Sequence, residues 1–187
     1  MQLRNFGVKA TVMLLSAFAE SESLSNFKSI LPIDTGLYSK ADVIAEIAKI
    51  MTNSTTLDID KINWYDKMFD ASGAVTMLEA FDQSESFKNY EKIPDFNERL
   101  YASESLVEKV ASLIRGSSTL KELDLSSKAL DASGAASIIS AFADSPSLEN
   151  FDYLPLIDAH LYESEEVQEE IKKVIRCSKR FIKVDLA

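Results

Sequence analysis

Residues with side chains suited to catalysis or metal binding are few in this chain of 187 residues. His160 is the single histidine and Cys177 the single cysteine, so they cannot supply the usual ligand set of a zinc site. The five glycines form no phosphate-binding loop, and no Gly-x-Ser-x-Gly nucleophile elbow occurs. A Ser-His-Asp triad assembled in space from distant residues stays open at this point. We predict a protein that is not an enzyme, with no catalytic residue, metal or cofactor.

The charge of the chain is strongly acidic, with 30 Asp and Glu against 20 Lys and Arg and a formal net charge of −10. This balance argues against nucleic-acid binding, which needs cationic side chains to neutralise phosphates. It also argues against attachment to anionic membrane surfaces. A protein partner of basic character is compatible with the charge.

The cysteine count and the apolar runs indicate a cellular compartment. A single cysteine rules out an intramolecular disulfide and is typical of a reducing environment. The apolar run from Val12 to Phe18 is bracketed by Lys9 and Glu20, and similar runs recur inside the chain, so we interpret it as a helix and not a signal peptide. No stretch approaches about 18 uncharged apolar residues, so no membrane span is predicted. These features predict a cytoplasmic protein.

Two sequence patterns occur three times each with the same shifts. The first is Ala-Phe followed by Ser-x-Ser, and it begins at Ala17, Ala80 and Ala141, with shifts of 63 and 61 residues. The second is Leu-Tyr, which begins with the same shifts at Leu37, Leu100 and Leu161. Agreement at two independent places indicates an internal repeat of about 62 residues.

Each repeat is predicted to hold two strand–helix units. Apolar residues at i, i+3 and i+5 suggest strands, which would begin at Leu24, Ile59, Phe87, Leu120, Leu148 and Phe181. Helical spacing follows each of the first five. Their predicted N-caps are Asp70 and Asp131 in one kind of unit, and Ser39, Ser103 and Ser164 in the other. The equivalent residues Phe18, Phe81 and Phe142 are predicted to be buried.

The unit from Leu120 to Phe151 resembles a leucine-rich repeat of the ribonuclease-inhibitor type. The resemblance covers roughly residues 10 to 187. It lacks the family's Asn or Cys eight positions after the first strand leucine, where this chain has Pro32, Lys67, Asp95, Lys128 and Leu156.

The resemblance implies an α/β fold, namely a single leucine-rich-repeat solenoid domain over residues 1–187. This would be a right-handed horseshoe arc with about six parallel strands on the concave face and helices outside. The chain ends within a strand pattern, so it is either a fragment of a longer protein, or a chain whose last edge is covered by a partner or tolerated because it is short.

Acidic side chains would collect on the concave face of such a solenoid, because side chains alternate in direction along a strand. The predicted partner-binding residues are Glu91, Glu122, Asp124, Glu149, Asp152 and Asp185. A column of tyrosines, Tyr38, Tyr101 and Tyr162, either packs beneath the loops or forms a partner-facing rim.

The leading functional hypothesis is a non-enzymatic protein–protein interaction module that binds a partner on a partly acidic concave face. The resemblance implies two alternatives. One is a GTPase regulator of the Ran GTPase-activating type, which would need a residue that orients water or phosphate. The other is a bacterial or parasite effector that binds a host protein in the host cytoplasm. Oligomeric state is left open.

Overall fold

Helices are the regular secondary structure throughout residues 6–180, the part of the chain that the computed structural model describes. Within it lie six α-helices: α1 (Val8–Ala19), α2 (Ala41–Asn53), α3 (Ala71–Gln83), α4 (Glu104–Gly116), α5 (Ala132–Ala143) and α6 (Glu165–Cys177). Short 3₁₀-helices occupy the connections at Glu22–Asn26, Thr35–Ser39, Ile59–Lys61, Glu85–Phe87, Glu98–Ala102, Pro146–Asn150 and Ala159–Glu163. β-pairing in this part of the chain is limited to isolated bridges.

The helices follow the internal repeat found in the sequence. α2, α4 and α6 each have 13 residues and begin at Ala41, Glu104 and Glu165, which are shifts of 63 and 61 residues. α3 and α5 begin at Ala71 and Ala132, again 61 residues apart. The repeat of sequence is therefore also a repeat of backbone structure.

The predicted strands are wrong, and with them the α/β leucine-rich-repeat solenoid. Four of the predicted strand starts lie in 3₁₀-helices, namely Leu24, Ile59, Phe87 and Leu148. The segment that follows Leu120 is extended, but its β-pairing consists of two isolated parallel bridges, Lys92–Glu122 and Asp124–Leu156. The last predicted strand, from Phe181, lies outside the described residues.

Serine hydroxyls explain why three of these segments turn instead of extending. Ser21, Ser84 and Ser145 precede them, and each Oγ accepts a hydrogen bond from the backbone N–H two residues on, at 3.2, 3.3 and 3.1 Å. Such a bond fixes a tight turn and competes with strand pairing. Apolar residues three positions apart also suit a 3₁₀-helix, which has three residues per turn. The spacing that indicated a strand is therefore satisfied by a turn.

The chain divides into two compact units, of which unit 1 comprises Met1–Lys88 and Pro94–Asn97. In unit 1, α2 packs between α1 and α3. Ile47 and Leu78 are completely buried in this core. Gly73 permits a close approach of α3 to α2, because a Cβ at that position would lie 2.5 Å from Ile44 Cδ1.

Unit 2 comprises Asn89–Ile93 and Glu98–Ala187. Here α5 packs between α4 and α6. Ile138, Phe142 and Val174 are completely buried. Phe81 of unit 1 is buried as well, so two of the three phenylalanines predicted to be buried are confirmed, whereas Phe18 is only partly buried.

The predicted N-caps are confirmed for the aspartates and wrong for the serines. Asp70 and Asp131 each accept a hydrogen bond at 2.7 Å, from the N–H of Gly73 and of Gly134 respectively. Ser103 and Ser164 hold the N-cap positions of α4 and α6 without a side-chain bond to the helix, and Lys40 holds that of α2.

Buried serines also join successive turns within each unit. In unit 2, Ser147 Oγ donates to the Ser117 carbonyl at 2.8 Å and accepts from the Leu120 N–H at 3.0 Å. In unit 1, Ser86 Oγ donates to the Ser54 carbonyl at 2.8 Å and accepts from the Leu57 N–H at 3.1 Å. The hydroxyl thus satisfies backbone groups that a β-ladder would otherwise pair.

None of the helices within residues 6–180 has the length and apolar character needed to cross a membrane.

Candidate protein-binding surface

Three backbone segments of unit 2 lie side by side and carry the predicted partner-binding residues. The Glu91 carbonyl accepts hydrogen bonds from the N–H groups of Lys121 and Glu122 at 2.7 and 3.1 Å. The Leu156 carbonyl accepts from the Leu125 N–H at 2.9 Å. The acidic residues therefore sit on neighbouring segments, although these segments are not strands. We call the described members the acidic face: Glu91, Glu122, Asp124, Glu149 and Asp152. Asp185 lies outside the described residues.

All five side chains of the acidic face are exposed, but two of their carboxylates are already paired. Lys121 Nζ lies 2.5 Å from Glu91 Oε1, and Arg180 Nε lies 3.5 Å from Asp152 Oδ1. Arg180 also donates from Nη1 to the backbone carbonyl of Glu149, at 2.8 Å. Cations interspersed in this way lower the mutual repulsion of the face.

Asp124 has a structural role in a turn. Its Oδ1 accepts hydrogen bonds from the Ser126 N–H at 2.9 Å and from the Ser126 hydroxyl at 2.6 Å. These two bonds hold the pKa of Asp124 below its ordinary value. The next residue, Ser127, has a positive φ of 58° and donates its N–H to Asp158 Oδ1 at 2.7 Å. The Asp124 carboxylate is therefore committed to the local backbone.

Glu122 differs from its neighbours on the acidic face. Its side chain is exposed, and its carboxylate forms no hydrogen bond or ion pair with residues 6–180. It is thus available to a cation of another molecule at no cost to an existing contact.

Two large apolar side chains beside the acidic face were missed by the sequence analysis. Tyr153 is 60% exposed and Leu156 is 57% exposed. The apolar spacing from Leu148 predicted Tyr153 as an inward strand position, but the backbone bends after Phe151 and this prediction is wrong. Exposed apolar groups beside charged ones are typical of a protein interface.

The tyrosine column does not form a rim. Tyr38 and Tyr101 are only 6% and 5% exposed, whereas Tyr162 is 39% exposed. The alternative that the column packs beneath the loops therefore describes the first two members.

The residues considered for catalysis or metal binding lie on the surface. His160 sits in the 3₁₀-helix Ala159–Glu163 and Cys177 ends α6, and both are exposed. Over residues 6–180, no group of three or more His, Cys, Asp and Glu is arranged to hold a metal ion.

No protein-family model matches this chain, and comparisons with curated proteins and with solved structures likewise gave no match. The expected membership of the leucine-rich-repeat family is wrong on the absence of strands from the described residues and gains no support from these comparisons. The function is therefore argued from the residues of the chain itself.

Proposed function

We propose that this protein is a non-catalytic binding module whose acidic face, together with Tyr153 and Leu156, binds a basic segment of a partner protein. The observation that carries the proposal is the position of these two exposed apolar side chains. They follow Asp152 on one backbone segment, and that segment pairs with the segment that bears Glu122.

Apolar and charged groups have separate roles in this proposal. Tyrosine and leucine supply area that is removed from water on binding, at roughly 25 cal/mol per Å² of apolar surface. Acidic groups around them attract a basic partner during encounter and exclude acidic competitors. The chemistry that fits is a segment in which Lys or Arg flanks an aromatic or aliphatic side chain.

The two alternative functions lose their basis in the described fold. Both the GTPase regulator and the effector hypotheses drew on the leucine-rich-repeat resemblance, which the helical structure does not support. No arrangement of side chains in the acidic face favours either of them over the binding module.

Quantitative affinity capture with matched variants tests the proposal. The double variant Tyr153→Ser, Leu156→Ser removes both apolar groups, and Met68→Ser is the control because Met68 is 61% exposed in unit 1. A true partner should be retained by the wild type and by the control and be lost by the double variant. With purified partner, the Kd should rise by at least ~30-fold.

The opposite result is equally clear. If every partner captured by the wild type binds the double variant with unchanged Kd, while circular dichroism shows both proteins folded, the acidic face is not the binding surface.

A further inference from the structure

A cavity of about 310 Å³ lies in unit 1 and is lined only by residues of that unit. Its volume is about twice the ~150 Å³ of a cavity that accommodates benzene. It also falls at the lower end of the range of roughly 300–1,000 Å³ found for small-molecule sites. The space therefore admits a ligand of one or two rings.

Aromatic side chains form one wall of this cavity. Trp64 stacks on Phe69 with ring centroids 5.9 Å apart, and Tyr38 meets Phe69 edge to face at 5.3 Å. Phe96 closes the cluster by contacting Trp64 edge to face at 5.3 Å. All four rings are buried, so neighbouring rings restrict one another and the wall exists without a ligand.

The indole N–H of Trp64 is an unsatisfied donor. Trp64 is 3% exposed, and its Nε1 is buried with no hydrogen-bond partner in the described part of the chain. Indole can only donate, and a buried donor without an acceptor is costly. An acceptor atom of a molecule in the cavity would remove that cost.

The charge of the lining is opposite to that of the whole chain. Lys61 and Lys67 line the cavity and no Asp or Glu does, although the chain has a net charge of −10. Lys67 Nζ lies 5.2 Å from the ring centroid of Tyr38 and forms no ion pair with any residue from 6 to 180. Burial raises the pKa of Tyr38 to about 12, so this phenol stays neutral and adds no negative charge. The lining therefore favours an anion.

The internal repeat separates what is architectural here from what is specific. At a shift of 61 residues, Lys128 Nζ lies 5.1 Å from the Tyr101 ring, so the lysine–tyrosine pair exists in both units. The same shift places Leu125 and Leu130 where unit 1 has Trp64 and Phe69. The aromatic wall and its indole N–H thus belong to unit 1 and are not needed to build the repeat.

We propose that this cavity binds a small aromatic carboxylate, with its ring against Trp64 and Phe69, and with its oxygens accepting from the Trp64 N–H and pairing with the Lys67 ammonium. This site is independent of the acidic face, whose residues all belong to unit 2.

Trp64 is the only tryptophan, so its indole N–H gives a single resonance in a nitrogen–proton correlation spectrum. The probes are benzoate, 3-phenylpropionate and 2-naphthoate, each paired with its neutral amide. We expect a saturable shift of the indole resonance with at least one carboxylate, at a Kd of about 1 mM or lower. Its amide should bind about tenfold more weakly, because it lacks the charge that pairs with Lys67.

Two surface variants assign the charge selectivity without disturbing the core. Lys67→Gln should weaken carboxylate binding by about tenfold and leave amide binding within about twofold. Lys128→Gln makes the same change at the equivalent position of unit 2 and should leave both affinities unchanged. Trp64→Leu, which copies Leu125, should abolish binding as measured by calorimetry.

Three results would overturn the proposal. One is the absence of a saturable response to all three carboxylates, as expected of a cavity that holds only water. A second is equal affinity for each acid and its amide. The third is carboxylate binding that survives Lys67→Gln at full strength.

Discussion

Individual carboxylates of the acidic face have different roles, although the sequence presents them as equivalent. Glu91 and Asp152 have cationic neighbours, and Asp124 holds the turn that continues to Ser127. Glu122 alone among the five has an exposed carboxylate with no hydrogen-bond or ion-pair partner in residues 6–180. It is therefore the best single position at which to test electrostatic attraction of a partner.

Reversing the charge of Glu122 should slow association with the partner. Glu122→Lys is expected to lower the association rate constant about tenfold at low salt. The difference should shrink as the screening length falls from ~10 Å at 0.1 M to ~3 Å at 1 M salt. Stopped-flow or surface-plasmon measurements across that range provide the check. Glu163→Lys is the control, because it makes the same change of net charge at an exposed residue of the 3₁₀-helix Ala159–Glu163. Equal slowing by the two variants would mean that total charge matters and the acidic face does not.

Tyr38 should make folding sensitive to alkaline pH. Its pKa is raised by burial from 10.0 to about 12. A group whose folded pKa is raised contributes stability that is fully present below its unfolded pKa, here 10.0, and lost as pH rises through the folded value, here about 12. Two pKa units correspond to at most ~2.7 kcal/mol.

Denaturant unfolding at pH 9 to 12 tests this dependence. Tyr38→Phe should lose less stability than the wild type across that interval, because no phenol is left to ionise at this position. Tyr162→Phe changes a more exposed member of the same column and should follow the wild type. Lysines titrate in all three proteins, so their effect cancels in the comparison. Parallel stability curves for Tyr38→Phe and wild type would contradict the expected role of burial.

At the scale of elements, the repeat positions are equivalent in sequence but not in burial. Phe142 on α5 is completely buried and Phe18 on α1 is only partly so, although each makes an edge-to-face contact at 4.8 Å, with Phe151 and Phe27 respectively. The reason is the number of neighbouring helices. α5 packs between α4 and α6, whereas α1 has α2 alone as a packed helix in the described residues.

This difference predicts unequal costs for the same substitution. Phe142→Ala should lower the free energy of unfolding by ~3–5 kcal/mol, the range found for fully buried phenylalanines. Phe18→Ala should cost less than half as much, because much of the side chain already contacts water. Urea unfolding of the two variants measures both values. Equal costs would show that α1 is covered as fully as α5.

The sequence determines the helices more clearly than the segments between them. Helical periodicity and the caps Asp70 and Asp131 were sufficient to predict α3 and α5, because these signals are local. Leu24 and Leu148 misled because a spacing of three apolar residues fits both a strand and a 3₁₀-turn. The choice between them depends on hydrogen bonds of serine hydroxyls, which apolar spacing does not reveal.

The candidate sites divide in the same way. Repeat spacing placed the acidic residues on neighbouring segments, and the structure has these segments side by side. The pairing of Asp152 with Arg180 and the exposure of Tyr153 depend on how the backbone bends, which spacing does not encode. The cavity beside Trp64 requires residues from distant parts of unit 1, so no local signal could indicate it.

At the scale of the whole molecule, the fold uses two units built on one repeated plan, and they differ in what they expose or enclose. Unit 1 encloses an aromatic cavity with a cationic lining. Unit 2 exposes Tyr153 and Leu156 beside acidic side chains. Repetition therefore supplies the helices and turns, and substitution at equivalent positions supplies two chemically different sites.

The buried serines have a consequence for the timing of local opening. The Leu120 amide is held by Ser117 Oγ at 3.1 Å and by Ser147 Oγ at 3.0 Å, so one of its two acceptors belongs to the following turn. Exchange of this amide with heavy water requires that turn to separate, which makes Leu120 a clock for the opening of its neighbour. Ser147→Ala should therefore accelerate exchange at Leu120, measured by nuclear magnetic resonance, by at least about fivefold. Ser86→Ala should have the same effect at Leu57 and none at Leu120, so that each turn reports the loss of the next one along the chain.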